Sequence, residues 1–204
     1  MQTLGVSGDR RGRDEGRLKS IFWPAVENAW DVDTIGRQGF WVCVLIGAYQ
    51  VIIGLVAGSL ASVIFGVIAG LVYFLGAMGV RETSWPAAAL VFALFSVNLF
   101  FAVATARFPG FLVIAAEAVL LTTLRAAVIA SRLSPPAEGE DRPSRFNETF
   151  RDKLADQLPA SAWPVLRIPF FFLGGILLVL SVAGTLVIFF QRLGLLPNPA
   201  SMVH

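Results

Sequence analysis

GFWVCVLIGAYQVIIGLVAGSLASVIFGVIAGLVYFLGAMGV, residues 39–80, runs for 42 positions without one Asp, Glu, Lys or Arg. A helix rises about 1.5 Å per residue and the hydrocarbon of a bilayer is about 30 Å thick, so one crossing uses about 20 apolar residues. The run is therefore two crossings back to back, with Gly58-Ser59-Leu60 as a very tight turn. No solvated domain needs such a stretch.

Working outward, the same signal recurs. The 204 residues are 56% hydrophobic and only 15% charged, with a mean hydropathy of +0.71, which is far too apolar for a solvated globule of this size. The charges crowd into Met1–Arg37 and Arg132–Arg167. An all-α membrane protein with five spans is expected, at about 38–57, 61–80, 86–106, 111–131 and 166–191. Pro86 suits a first helical turn, because its missing N–H would be unpaired there anyway. Arg107, Phe108, Pro109 and Gly110 break the chain before the fourth span, and Gly194, Pro197 and Pro199 stop the fifth. The chain then divides into an N-terminal segment (1–37), a four-helix membrane unit (38–131), a linker with an amphipathic helix (132–165), the fifth span (166–192) and a short tail (193–204).

Positive charge predicts the orientation. With the N-terminus in the cytoplasm, 13 of the 16 Lys and Arg residues fall on the inner side, only Arg107 and Arg192 fall outside, and Arg125 lies within a span. That bias follows the positive-inside rule, and four or six spans would spoil it. The C-terminus is then outside. The first 38 residues carry twelve charges and no apolar core of signal length, so the Gly39 span is expected to act as its own targeting element.

Composition excludes several chemistries. Cys43 is the only cysteine and His204 the only histidine. An intramolecular disulfide, a zinc site of His and Cys, haem ligation by histidine and a Ser–His–Asp triad all lack their parts. No cofactor and no metal is expected. The net charge of +2 is too small to suggest nucleic acid.

Two charged segments flank the spans. Met1–Gly16 has a disordered composition, whereas Ile21, Phe22, Trp23, Val26 and Trp30 suit a segment lying in the headgroup region. A plain aromatic belt is the expected role, with docking of a partner as the alternative. After the linker Ser134–Pro143, residues 144–158 place Phe146, Phe150, Leu154 and Leu158 four apart, opposite Arg145, Glu148, Arg151, Asp152, Lys153 and Asp156. This is the pattern of an amphipathic surface helix resting on the bilayer or on the ends of the bundle.

Small residues recur every four positions through the first hairpin, at Gly54, Gly58, Ser62, Gly66 and Gly70. Spacing of this kind lets helix backbones approach closely. Packing within the hairpin is the expected use, and homodimerisation is the alternative. Gly174-Gly175 gives the fifth span a similar smooth patch.

Polar groups inside the spans are few. Counting about 1.5 Å per residue from the inner boundaries puts Gln50 and Asn98 roughly 18 Å deep and Glu117 and Ser181 roughly 21–23 Å deep, one layer on four helices. Tyr73 and Arg125 fall in a second layer, about 10 Å deep. Arg125 is expected to snorkel to the headgroups or to stack on Tyr73. Glu117 is eight residues from Arg125, about 12 Å along the axis, too far for a direct pair within that helix. It is expected to bond Asn98 or Gln50, or to face a small wet cavity.

Val67–Leu90 (VIAGLVYFLGAMGVRETSWPAAAL) and Pro109–Leu133 (PGFLVIAAEAVLLTTLRAAVIASRL) resemble the paired hairpins of small multi-spanning bacterial inner-membrane proteins of uncharacterised activity. In those a span ends in a basic residue followed by Ser and an Ala-rich span, and a later span carries an inward Arg near its cytoplasmic end. Arg81, Ser84 and Arg125 are the matching positions. The resemblance implies a bacterial plasma-membrane address and lends no activity.

Three functions compete on these residues. The shortage of catalytic side chains, the Gly-rich hairpin and the amphipathic loop favour a non-enzymatic accessory, scaffold or assembly subunit whose partners are the lipid bilayer and another membrane protein or a second copy. A small proton-coupled transporter or channel using Glu117, with Asn98 and Gln50 as neighbours, is the alternative. A lipid-modifying enzyme comes last, because the spans hold no nucleophile, metal cluster or paired carboxylate.

Overall fold

The computed structural model of the chain describes residues 24, 26, 29–105, 108–132, 150 and 153–196. Most of the N-terminal segment, the linker, the larger part of the amphipathic stretch and the tail lie outside these residues.

Among the described residues the chain is helical, with no strand. Five α-helices follow in order: α1 (Ala29–Val56), α2 (Leu60–Arg81), α3 (Trp85–Ala104), α4 (Phe111–Arg132) and α5 (Leu158–Arg192). A π-helical turn, Lys153–Gln157, leads into α5. Five segments are long and apolar enough to cross a membrane, the fifth counted from Lys153 to Arg192. Three of them, α2, α3 and α4, keep the predicted boundaries to within about two residues at both ends. The exceptions are instructive.

The α1 helix begins at Ala29, well before the expected boundary at 38, and its 28 residues span about 42 Å, more than the hydrocarbon needs. The added turns carry Asp31, Asp33 and Arg37, yet Val32, Ile35 and Gly36 in them are buried. Residues 29–37 are thus an extension of the first helix packed on the bundle end, not a separate segment. The α5 helix likewise begins at Leu158 instead of 166. Pro159 occupies its first turn, and Pro164 and Pro169 lie inside without ending it. Each deletes one backbone donor, a loss that apolar helices tolerate when neighbouring helices support them. That support is visible: Trp163 and Phe170 are buried, with ring centroids 5.6 Å apart.

The α2 helix sits at the centre and is the most buried of the five. It runs beside α1 along the hairpin and also packs on α3 and α5, while α4 closes the far side against α1 and α3. Glycines make this centre accessible. A Cβ on Gly54 would lie 2.7 Å from the Ser62 carbonyl and 3.0 Å from the Gly66 Cα, and one on Gly70 would lie 2.9 Å from the Gly47 carbonyl. On another side, a Cβ on Gly79 would lie 2.5 Å from the Trp163 ring. The small residues are therefore spent inside the hairpin. Gly58 differs: it does not pack but takes φ +72° in the turn, and the Ser59 hydroxyl then caps α2 by accepting from Ser62 N–H at 3.1 Å. One end of the bundle carries Asp33, Arg81 and Asp156 and is called the charged end below; the other holds the Gly58 turn.

Candidate functional site

Glu117 on α4 accepts a short hydrogen bond at Oε1 from the hydroxyl of Ser96 on α3. Its other oxygen, Oε2, is buried and meets no partner. Neither Asn98 nor Gln50 fills the expected role of partner. The Asn98 amide instead donates to the Leu94 carbonyl of its own helix at 2.9 Å. Gln50 lies where the α1 and α2 backbones meet, its carbonyl 2.7 Å from where a Gly66 Cβ would be, and no hydrogen bond joins it to Glu117. Ser181 is on α5, which packs on α2 and α3 and not appreciably on α4, so the layer does not close through it. Its backbone carbonyl accepts from the Thr185 hydroxyl at 2.7 Å.

Tyr73 joins the deeper group instead of the shallow one. Its side chain is 1% exposed at the centre of the core, and its hydroxyl is buried with no hydrogen-bond partner. The Asn98 side chain is the polar group within reach of that hydroxyl. Counting by Cα depth missed this because helical side chains lean toward their own N-terminus. On α2 that direction leads away from Arg81 and toward the Glu117 level.

The expected pairing of Tyr73 with Arg125 is not formed by a hydrogen bond. The Arg125 guanidinium donates from Nη1 to the Pro24 carbonyl at 3.0 Å, which ties the backbone at Pro24 to α4.

The strongest polar cluster was invisible to sequence spacing. Arg81, the last residue of α2, is 1% exposed. Its Nη1 lies 2.7 Å from Asp33 Oδ1, and its Nη2 lies 2.6 Å from Asp156 Oδ1. Nε adds bonds to Asp156 Oδ1 at 2.9 Å and to the Ala155 carbonyl at 3.2 Å. Asp156, read from the sequence as part of a solvated face, is 2% exposed. One guanidinium thus fastens α1, α2 and the π-helical turn. Burying charge is unfavourable unless it is paired and hydrogen-bonded, and here every nitrogen of the guanidinium has a partner.

The described part of the amphipathic stretch is therefore docked on the end of the bundle. Leu154 and Leu158 pack on the core and Ala155 is fully buried, whereas Phe150 is exposed. Phe146 and Arg145 lie outside the described residues.

Chemically the two clusters differ. The Arg81 cluster is closed and mechanical. The Ser96–Glu117 pair leaves one carboxylate oxygen without a hydrogen bond, as the Tyr73 hydroxyl is, in a layer where a bare carboxylate is costly. Among the described residues no group of three or more His, Cys, Asp or Glu side chains could hold a metal ion. Fold and clusters together describe a five-helix bundle that fits a multi-pass membrane protein. No protein-family model, no curated protein and no solved structure matches the chain.

Proposed function

We propose that the chain is a multi-pass protein of the bacterial plasma membrane, N-terminus inside and C-terminus outside, that serves as a non-enzymatic accessory or assembly subunit of a membrane complex. Support comes from the outer half of α5. Its spanning segment is the least buried of the five, and Val179, Leu180, Val182, Gly184, Leu186 and Val187 are all exposed or open to the outside. A Cβ on Gly175 or Gly184 would meet no atom within 4 Å, so both leave room for a neighbouring helix to come close. The distribution of Lys and Arg and the resemblance to small bacterial inner-membrane proteins supply the address.

Purification of the full chain in mild detergent tests this reading. A stoichiometric membrane partner should co-purify with the wild type and be lost from a Gly175→Leu/Gly184→Leu double variant, which fills only open space. A chain that purifies alone from its native membrane, or a partner retained by the double variant, contradicts it.

A second reading, a small proton-coupled transporter or channel working at Glu117, is favoured by one observation, the buried and unpartnered Oε2. Flux in proteoliposomes that disappears in Glu117→Gln would select it over the accessory role.

A further inference from the structure

We infer that the half of the bundle nearer the Gly58 turn holds a blind aqueous cleft, open at that end and floored by Asn98. Two helix pairs form its walls, and each pair stays zipped within itself. In α1 and α2 the backbones touch close to the turn, where a Cβ on Gly66 would lie 2.9 Å from the Gly54 Cα. In α3 and α5 the Phe100 and Phe189 ring centroids are 6.1 Å apart, and Arg192 Nη2 donates to the Thr105 carbonyl at 3.1 Å.

The faces that the pairs turn to each other lose their cover partway along. On α2, Val72 is fully buried beside Gly174 of α5. Phe65, seven residues nearer the Gly58 turn and within ~20° of Val72 around the axis, is 53% exposed. On α3, Val91 is fully buried against Gly76 of α2, and Asn98, seven residues further on and on the same face, is exposed. Both steps lead toward the Gly58 end. Since neither pair opens within itself, the exposure of Phe65 and Asn98 comes from a gap between the pairs. The α1 helix packs appreciably on neither α3 nor α5, so it does not close that gap.

The floor selects water over lipid as the occupant. Asn98 is six residues, or about 9 Å, short of the end of α3 at Ala104, within hydrocarbon depth. Its amide has two N–H groups, and the Leu94 carbonyl takes one of them. The other makes no hydrogen bond among the described residues, and an acyl chain offers no acceptor. Water entering from the Gly58 end supplies one. Beyond Asn98 the inward positions Leu94, Val91 and Val72 are all 0% exposed, so the water stops there.

This inference rests on neither functional reading above. Cysteine accessibility tests it in proteoliposomes of the full chain, with a charged, membrane-impermeant thiol reagent on both faces of the vesicle, so that orientation does not enter. Cys43 is fully buried, and the wild type should stay unlabelled. Asn98→Cys should be labelled. Phe100→Cys is the control: Phe100 is 51% exposed, about 3 Å nearer the helix end, but about 200° around α3 from the cleft. It should react at least about tenfold more slowly, because the thiolate is the reacting form and apolar surroundings keep a thiol protonated. Labelling of Asn98→Cys no faster than that of Phe100→Cys overturns the proposal, and an acyl chain or a neighbouring helix then fills the cleft. Should Asn98→Cys fail to fold, Phe65→Cys on the opposite wall decides against the same control: faster labelling supports the cleft and equal labelling rejects it.

Discussion

Arg81 and Tyr73 lie on the same helix, eight residues or about 12 Å apart, and both are 1% exposed. Arg81 has every guanidinium nitrogen bonded and joins three parts of the chain. Tyr73 buries a hydroxyl that makes no hydrogen bond. Equal burial thus hides opposite roles. A buried polar group with all its partners fixes the fold, and one without them costs stability. The two should respond to mutation with opposite sign.

The largest effect belongs to the charged end. Arg81→Met leaves Asp156 buried without its cation and should destabilise the protein by about 3–5 kcal/mol, the range for removing one member of a buried ion cluster. Chemical denaturation in mixed micelles measures it. Adding Asp156→Leu to that variant should recover a large part of the loss, because the orphaned charge is then gone. A loss under about 1 kcal/mol for Arg81→Met would place the cluster among ordinary surface pairs.

Next comes the hairpin that carries Tyr73. Gly66→Val drives a side chain into the Gln50 carbonyl, 2.7 Å from the first added atom, and should cost about 1–3 kcal/mol in the same assay. Gly175→Leu, which enters open space, should stay within about 0.5 kcal/mol of the wild type. Equal effects of the two substitutions would remove the distinction between inward and outward glycines.

Tyr73→Phe should move stability the other way. Deleting a buried hydroxyl that makes no hydrogen bond should stabilise by about 1 kcal/mol.

The smallest effect contrasts two helix ends. After α2, Ser84 N–H bonds the Gly79 carbonyl and Thr83 N–H bonds the Val80 carbonyl, which places Thr83 at φ +54°. After α5, Leu195 and Gly194 make the equivalent bonds to Phe190 and Gln191, with Gly194 at φ +71°. Glycine occupies that left-handed position without steric cost, and a β-branched residue does not. Thr83→Gly should therefore stabilise by about 1 kcal/mol and Gly194→Thr should destabilise, both read as shifts of the thermal midpoint.

How much of this was legible follows from the range of each interaction. Apolar runs bounded by charges, Gly or Pro locate five helices because crossing length is a local property of the chain. The Gly54, Gly66 and Gly70 contacts were legible for the same reason, since a hairpin with almost no loop leaves one way to pair its helices. The partners of Arg81 were not, because Asp33 and Asp156 are 48 and 75 residues away and read locally as solvated charges. Ser96 was overlooked for Asn98, which is nearer the mirror position of Glu117 across the α3–α4 break but spends its amide on its own helix. The start of α5 was missed because the apolar run begins only after Pro164, and the buried Trp163 and Phe170 show why the helix continues through that proline.

The thermal midpoints of Arg81→Met and Tyr73→Phe, measured side by side on the purified chain in detergent solution, test the contrast most directly. The account predicts a clear fall for Arg81→Met and a rise for Tyr73→Phe. A fall of similar size in both would contradict it, since Tyr73 would then be as fully bonded in the protein as Arg81.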